Sequence, residues 1–405
     1  MSAQEFDVVI YGATGFTGKL VAEHLMRVYG AEGELRWAMA GRDEEKLKVV
    51  RNDIGASYKL PIIIAGAHDS NALDALAHRT RVVITTVGPY QRYGEGLLAA
   101  CAKAGADYVD LCGEPNWMAD MIAKYDKVAK ESGARIVFSC GFDSIPFDCG
   151  VWFLQREAQA RFGQPLRDVR GRVRKMKGTF SGGTMASMLA TFEAMKVDPS
   201  LASRMTDPFV LSPERLAPQP NGDTVTEDTD INSWAAPFVM ASINTKNVHR
   251  SNALAKYPYG KDFTYSEMMM TGGGAKGKQR AKSLQSSSNM QRTLLGFAPT
   301  RMLLTQFVLP KPGQGPNLEQ RENGMFDVLY VGTTADGRSL RASVCGDKDP
   351  GYGSTSKMIS EAALTLKDTS RQTTPGGVWT PAAAMGDALI ARLQEKAGLT
   401  FKLEN

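Results

Sequence analysis

Short apolar runs rich in β-branched residues recur six times in the first 150 residues, each followed by a turn and a helical stretch. The runs are Val8–Tyr11, Leu35–Ala40, Leu60–Ala65, Arg81–Val87, Asp107–Leu111 and Ala134–Cys140. Helical spacing fills the intervals Thr17–Val28, Glu44–Asp53, Asn71–His78, Gly94–Ala104 and Asn116–Glu131. A strand that is apolar on both faces must be covered on both faces, and parallel neighbours need a crossover long enough to hold a helix. The pattern therefore predicts an α/β fold, a doubly wound parallel sheet with right-handed crossovers.

After about residue 160 the rhythm changes. Strands are predicted at Val169–Met176, Pro237–Ile243, Asp262–Met270, Phe326–Thr333 and Leu340–Cys345, in a mostly antiparallel sheet. Pro199–Asn232 reads as an irregular excursion, and Gly272–Asn289 and Pro310–Gly324 read as loops. Ser181-Gly182-Gly183-Thr184 precedes a helical stretch, Met185–Met195. Helices return at Lys357–Leu366 and at Pro381–Glu395, with Thr380 as N-cap. The changes of rhythm divide the chain into 1–150, 151–350 and 351–405.

Charge narrows the function classes. Lys and Arg number 48 against 43 Asp and Glu, a formal +5 over 405 residues, too mild to point to nucleic acid. The five cysteines, an odd count without C-x-x-C spacing, suit a reducing compartment. The four histidines lack metal-ligand spacing, so no metal site is expected. No secretory signal and no long apolar window appear, so the expected location is cytoplasmic, with peripheral membrane contact left open.

The sharpest local signal is Asp7–Gly18, where a strand runs into Gly12-Ala13-Thr14-Gly15-Phe16-Thr17-Gly18 and then a helix. Gly12 permits a tight turn off the strand. Gly15 lets backbone approach a pyrophosphate, and Gly18 lets the helix pack closely on the sheet. Phosphates then meet the unpaired N–H groups and positive dipole end of the helix. A triple-glycine match is weak alone, but the surrounding strand–helix units make this one specific. The next strand ends at Gly41-Arg42-Asp43. An acidic residue there would hold the ribose 2′-hydroxyl of NAD, whereas Arg42 suits the 2′-phosphate of NADP, with Asp43 left to cap the following helix.

The fourth strand ends in Thr86-Val87-Gly88-Pro89-Tyr90, placing these residues at the ligand crevice beyond the strands' carboxyl ends. Asp110, Glu114 and Asp143 follow the fifth and sixth strands and are expected on the same rim.

These residues resemble the saccharopine dehydrogenase-like oxidoreductases. The likeness runs through Asp7–Gly18, Ala40-Gly41-Arg42, Thr86–Tyr90, Tyr108–Glu114 and Cys140–Pro146, and continues in Ser181–Thr184, Asn244–Lys246, Arg250–Leu254, Tyr265–Glu267 and Thr380–Leu389. Its closest branch is similar to the trans-acting enoyl reductases of polyketide glycolipid synthesis. The resemblance implies an NADP-binding domain at 1–150, an inserted α+β domain at 151–350 and a C-terminal helical segment at 351–405 packed back on the first. It also implies NADP(H) and reduction of an enoyl thioester while the acyl chain is held on a partner synthase. Lys276, Lys278, Arg280 and Lys282 stand where relatives often carry small apolar residues. Whether the chain touches a membrane or forms a homodimer stays open.

For chemistry, Ser181, Gly182, Gly183 and Thr184 are expected to contact substrate or nicotinamide. Asp143, Tyr90 and His249 are candidate proton donors, with Asp143 and Tyr90 preferred. A Tyr-x-x-x-Lys dehydrogenase is disfavoured, because Tyr257–Lys261, which has that spacing, contains Pro258 and Gly260 and cannot be a stable helix. A saccharopine-type amino-acid dehydrogenase and a non-catalytic NADP-binding protein remain as alternatives. The alternating Arg170, Arg172 and Arg174, with Lys175 and Lys177 and with Lys276–Lys282 as a second cluster, are read as a basic dock for an acidic carrier domain or anionic headgroups.

Overall fold

The computed structural model describes residues 4–178, 182–296 and 313–404. Its first part alternates strands and helices as the apolar runs require. The strands are β1 (Phe6–Tyr11), β2 (Trp37–Gly41), β3 (Ile62–Ile64), β4 (Thr80–Thr85), β5 (Asp107–Val109) and β6 (Arg135–Val137). The helices are α1 (Phe16–Tyr29), α2 (Glu44–Asp53), α3 (Ser70–Arg79), the single turn α4 (Tyr90–Tyr93), α5 (Glu95–Ala104), α6 (Pro115–Ser132) and α7 (Ile145–Phe162). Val8, Val9 and Ile10 are wholly buried, so β1 is covered on both faces. Asp43 caps α2, accepting from the Lys46 N–H at 3.0 Å.

The chain then builds β7 (Leu166–Lys177), α8 (Gly182–Val197), α9 (Ser200–Thr206), β8 (Thr226–Asp228), β9 (Ser233–Pro237), α10 (Ala241–Leu254), β10 (Thr264–Gly272) and α11 (Gly274–Gly296). It continues through α12 (Leu318–Glu322), β11 (Met325–Thr334), β12 (Ser339–Gly346), α13 (Thr355–Asp368), β13 (Gly377–Trp379), α14 (Pro381–Lys396) and β14 (Leu399–Glu404). The first sheet has the order β13-β6-β5-β4-β1-β2-β3 and is parallel throughout. The second has the order β14-β12-β11-β7-β10-β9-β8, and only its β7–β10 pair is parallel.

Four expectations need correction. Strand Pro237–Ile243 is instead the end of β9 and the start of α10, because β9 stops at Pro237 and the polar residues that follow continue as a helix. Gly272–Asn289 is not a loop. Gly272 and Gly274, at φ +91° and +63°, turn the chain, and the Ala, Lys, Gln and Arg that follow are good helix formers. Within 313–324, Leu318–Glu322 forms a short helix with an Asn317–Gln320 capping box, while 310–312 lie outside the described residues. The C-terminal segment is not only helical, since it adds β13 to the first sheet and β14 to the second. Thr380 occupies the N-cap position of α14 but makes no capping bond, its Oγ1 lying 2.6 Å from Ser251 Oγ.

A buried ion pair ties the returning segment to the first sheet. Arg135 meets Asp107 at 2.5 Å, with both side chains 2% exposed. Arg135 also donates to the carbonyls of Leu366 and Thr369 at the end of α13, at 2.7 and 2.8 Å.

Candidate functional site

At the carboxyl edge of the first sheet, β1 turns sharply at Gly12, whose φ is +90° and where a Cβ would lie 2.5 Å from Val87 Cγ2. The Gly15 N–H donates to the Gly12 carbonyl at 2.9 Å. Gly15 is the N-cap of α1 and offers no side-chain cap, so the first-turn N–H groups are left for a ligand. A Cβ at Gly18 would stand 2.1 Å from the Gly12 carbonyl oxygen, so helix and turn fit only because Gly18 has no side chain. A cavity of about 760 Å³ opens off this loop between Thr14, Gly15, Phe16 and Lys19 and the segment 313–321. The cradle fits the pyrophosphate of a dinucleotide.

Arg42 follows β2, is exposed, and has no ion pair among the described residues. A cation without a partner at this strand end fits a 2′-phosphate. On the other side of β1, the Thr86 N–H donates to the Tyr11 carbonyl at 3.1 Å, bringing Thr86 and Val87 against Gly12. The Gly88–Pro89 turn follows with a cis peptide bond. Ala13 is fully buried, while Thr17 lies in the first turn of α1.

The three rim carboxylates have different roles. Asp110 accepts from the Cys112 and Ser139 N–H groups, each at 2.9 Å, and from the Tyr108 hydroxyl at 3.0 Å. Its burial pushes its pKa up to about 7. Glu114 receives the N–H groups of Tyr90 and Gln91 at 3.0 and 2.9 Å, anchoring the start of α4. Asp143 follows β6 and makes no hydrogen bond among the described residues, and burial raises it to about 7. Tyr90 is only 5% exposed. Its hydroxyl donates to the Thr85 carbonyl at 3.2 Å and accepts from the Leu111 N–H at 3.0 Å. It joins the ends of β4 and β5, and burial pushes it well above the usual tyrosine range.

The segment expected to contact substrate is partly outside view, since Ser181 lies outside the described residues. The Gly182 N–H donates to the Gln314 carbonyl at 3.2 Å. Thr184 Oγ1 lies 3.0 Å from Tyr352 Oη, and the Tyr352 ring packs edge-on against Phe16, centroids 5.3 Å apart. A Cβ at Gly88 would meet Ser187 Oγ at 3.4 Å. Thus α8, which carries Gly183 and Thr184, lies over both the glycine loop and the β4 turn.

A second polar group emerges on α10 and β10. Asn244, Lys246, Asn247, His249 and Arg250 are all buried on one helix. Asn244 Nδ2 donates to Glu267 Oε2 at 2.9 Å, and Asn247 Nδ2 to Ser144 Oγ at 2.8 Å, next to Asp143. Glu267 is 1% exposed, and burial raises it to about 8, with Asp143 adding to the shift. His249 packs against Phe209 and Phe263, centroids 4.7 and 5.8 Å away, and burial and Lys246 lower it to about 3. It is a neutral imidazole among aromatic rings. Sequence reasoning named Asn244 and Glu267 only as family motif residues. The signal was a run of polar residues too regular for a loop, misread because a strand was placed just before it.

The three arginines of the basic face expected on β7 are internally neutralised. Arg170 pairs with Asp228 and with Asp230 at 2.5 Å, Arg172 with Asp228 at 2.9 Å, and Arg174 with Asp327 and Glu404 at 2.7 and 2.6 Å. β7 is an inner strand, so these carboxylates come from neighbouring elements, while Lys175 and Lys177 at its end stay exposed without an ion pair among the described residues.

A nucleotide crevice at the carboxyl edge of a parallel sheet, overlaid by α8 and the segment 313–321, is that of an NADP(H)-dependent oxidoreductase of the saccharopine dehydrogenase type. Residues 8–137 match the saccharopine dehydrogenase NADP binding domain. A Mycobacterium tuberculosis relative, provisionally named a trans-acting enoyl reductase, is 43% identical over 407 residues and covers 96% of each chain. The trans-acting enoyl reductases of Mycobacterium bovis and Mycobacterium ulcerans are 39% and 37% identical, over 96% and 97% of each chain. Apo saccharopine dehydrogenase (L-Glu forming) from Saccharomyces cerevisiae superposes with a TM-score of 0.58 at 13% identity, covering 99% of this chain and 100% of that one. The chain belongs to the trans-acting enoyl reductase family of saccharopine dehydrogenase-like oxidoreductases. Among the described residues, no helix is long and apolar enough to cross a membrane, and no cluster of His, Cys, Asp or Glu could hold a metal ion.

Proposed function

We propose that this protein reduces the C=C bond of an α,β-unsaturated acyl thioester, of lipid or polyketide type, while the acyl chain is carried by a partner synthase. The observation that carries this reading is the full-length likeness to proteins named trans-acting enoyl reductase, which includes the second sheet as well as the nucleotide domain. NADPH supplies the hydride when bound. Gly12 to Gly18 hold its pyrophosphate, Arg42 its 2′-phosphate, and Thr86 to Pro89 border the path towards the nicotinamide. Gly183 and Thr184 on α8 are assigned to the thioester end, beside Tyr352. Asp143 is the rim carboxyl assigned to the proton-transfer group of the site, and Tyr90 positions the strand ends. The partner is inferred to be an acidic carrier domain. Lys276, Lys278, Arg280 and Lys282 of α11 are exposed and have no carboxylate partner among the described residues, which suits that charge. A C=N-reducing dehydrogenase has only a likeness of fold behind it.

The test is NADPH oxidation by the purified protein with 2-enoyl N-acetylcysteamine thioesters and with carrier-bound enoyl chains. Saturated product in equal amount to NADP+ formed is expected. NADPH binding without oxidation across the series overturns the reading in favour of a cofactor-binding protein.

A further inference from the structure

Burying Glu267, Asn244 and Asn247 together is costly unless each polar atom is matched. Asn244 Oδ1 and Asn247 Oδ1 have no hydrogen-bond partner among the described residues, and Glu267 Oε1 has no partner of ordinary geometry, with the Tyr265 hydroxyl its neighbour. Glu267 is 1% exposed and both asparagines 0%. They gather where β10 faces α10 and the turn after β6, because Asn244 holds Glu267 and Asn247 holds Ser144. The place is also shaped by a missing side chain. A Cβ at Gly171 would stand 2.9 Å from Tyr265 Oη and 3.3 Å from Glu267 Cγ. β6 lies on the side of β1 away from β2, whose end carries Arg42, so this group lies towards the nicotinamide end of the crevice.

We propose that Glu267 is the proton donor of the reduction, held in place by Asn244. The proposal rests on the enoyl-thioester reading above. As the β-carbon is reduced, the C=C electron pair moves towards the thioester carbonyl and an enolate forms. Its return makes a C–H bond at the α-carbon with the proton of Glu267, which is left as carboxylate and regains a proton from water. The charge of Asp143, when ionised, adds to the preference of Glu267 for its neutral form. The other titratable or charged groups facing Glu267 are Tyr265 on its own strand, Arg172 on β7 and Tyr330 on β11. Burial is the largest influence and favours the neutral acid, bringing Glu267 to about 8, whereas Arg172 opposes it.

The test compares Glu267→Gln and Glu267→Asp with the wild type, using 2-enoyl N-acetylcysteamine thioesters and NADPH. For E267Q we expect kcat to fall at least about 100-fold, with KM and the NADPH dissociation constant within about threefold. The wild-type kcat should decline as pH rises through about 8. E267D, which keeps an acid, should recover part of kcat and retain that decline. Difference infrared spectra give a readout independent of turnover: a carboxylic-acid C=O band should be present in the wild type at neutral pH and absent in E267Q. Should E267Q fail to fold, the infrared titration of the wild type and the E267D profile decide. A wild type that turns over while E267Q keeps kcat within about threefold overturns the proposal. So does the absence of the acid band, or an E267D variant that folds without activity. A wild type that oxidises no NADPH overturns the reductase reading instead.

Discussion

Arg42 stands at the end of β2 without a carboxylate beside it, so its charge is available to a phosphate. Arg42→Ala should therefore weaken NADPH binding about 10- to 100-fold, the equivalent of roughly 1.5–3 kcal/mol for a charge-assisted contact, while NADH binding barely changes. Calorimetry with both cofactors decides, and equal losses would mean that Arg42 serves the fold. The glycines separate in the same way. Around Gly15 only the Gly12 carbonyl comes near, at 3.2 Å from a Cβ, whereas Gly18 has backbone 2.1 Å away. Gly15→Val should abolish NADPH binding with a nearly unchanged Tm. Gly18→Ala should destabilise by about 1–3 kcal/mol through overpacking. Tyr90 holds two strand ends with one hydroxyl. Tyr90→Phe leaves the Leu111 N–H and Thr85 carbonyl without that partner, at about 1–3 kcal/mol, with kcat within a few-fold of wild type at a temperature where both are folded. A hundredfold loss of kcat at unchanged Tm would return Tyr90 to the catalytic group.

Among the elements, the two basic clusters fare differently. On β7, Arg170, Arg172 and Arg174 are met by Asp228, Asp230, Asp327 and Glu404, leaving Lys175 and Lys177 exposed. The larger group of exposed cations lies on α11, where Lys278 rests over Trp234, 4.5 Å from the ring centroid. Replacing Lys276, Lys278 and Lys282 by Glu should raise KM for a carrier-bound enoyl chain about tenfold at low salt, and less at high salt, where such attraction is screened beyond about 8–10 Å. Activity on the free N-acetylcysteamine thioester should not change. Equal effects on both substrates would leave α11 as an ordinary solvated helix. Much of the candidate site was readable in advance, because the glycine loop and Arg42 are set by neighbours along the chain. Asn244 and Glu267 were not readable as a pair, since α10 and β10 become adjacent only in the folded chain.

Across the whole molecule, buried carboxyls link stability to pH. Burial raises Asp110 and Asp148 to about 7 and Glu267 to about 8. Each is protonated in the folded protein where the unfolded chain, titrating near 4, is already ionised. Their contribution is fully present below about pH 4 and is lost as pH rises through about 7 to 8. His249 works the other way below about pH 6.5, because it stays neutral in the fold, and Lys246, lowered to about 8, opposes the trend above that pH. Unfolding free energy from urea titrations should fall from about pH 4 to about 8, by up to about 1.4 kcal/mol per pH unit for each such group, with His249 offsetting one group below about pH 6.5. A flat profile would show that these carboxyls ionise inside the fold. The same division between local and distant causes governs what could be read. Residue order alone determined the parallel sheet, the glycine turn and most strand faces, because backbone geometry sets their periods over a few residues. Tertiary structure alone decided that Gly377–Trp379 pairs with Arg135–Val137, that Leu399–Glu404 joins the second sheet, and that the β7 arginines meet carboxylates. It also brought Glu267 to Asn244 and within electrostatic reach of Asp143. Such partners lie far along the chain, and their burial and charge are defined only once the two sheets close on each other.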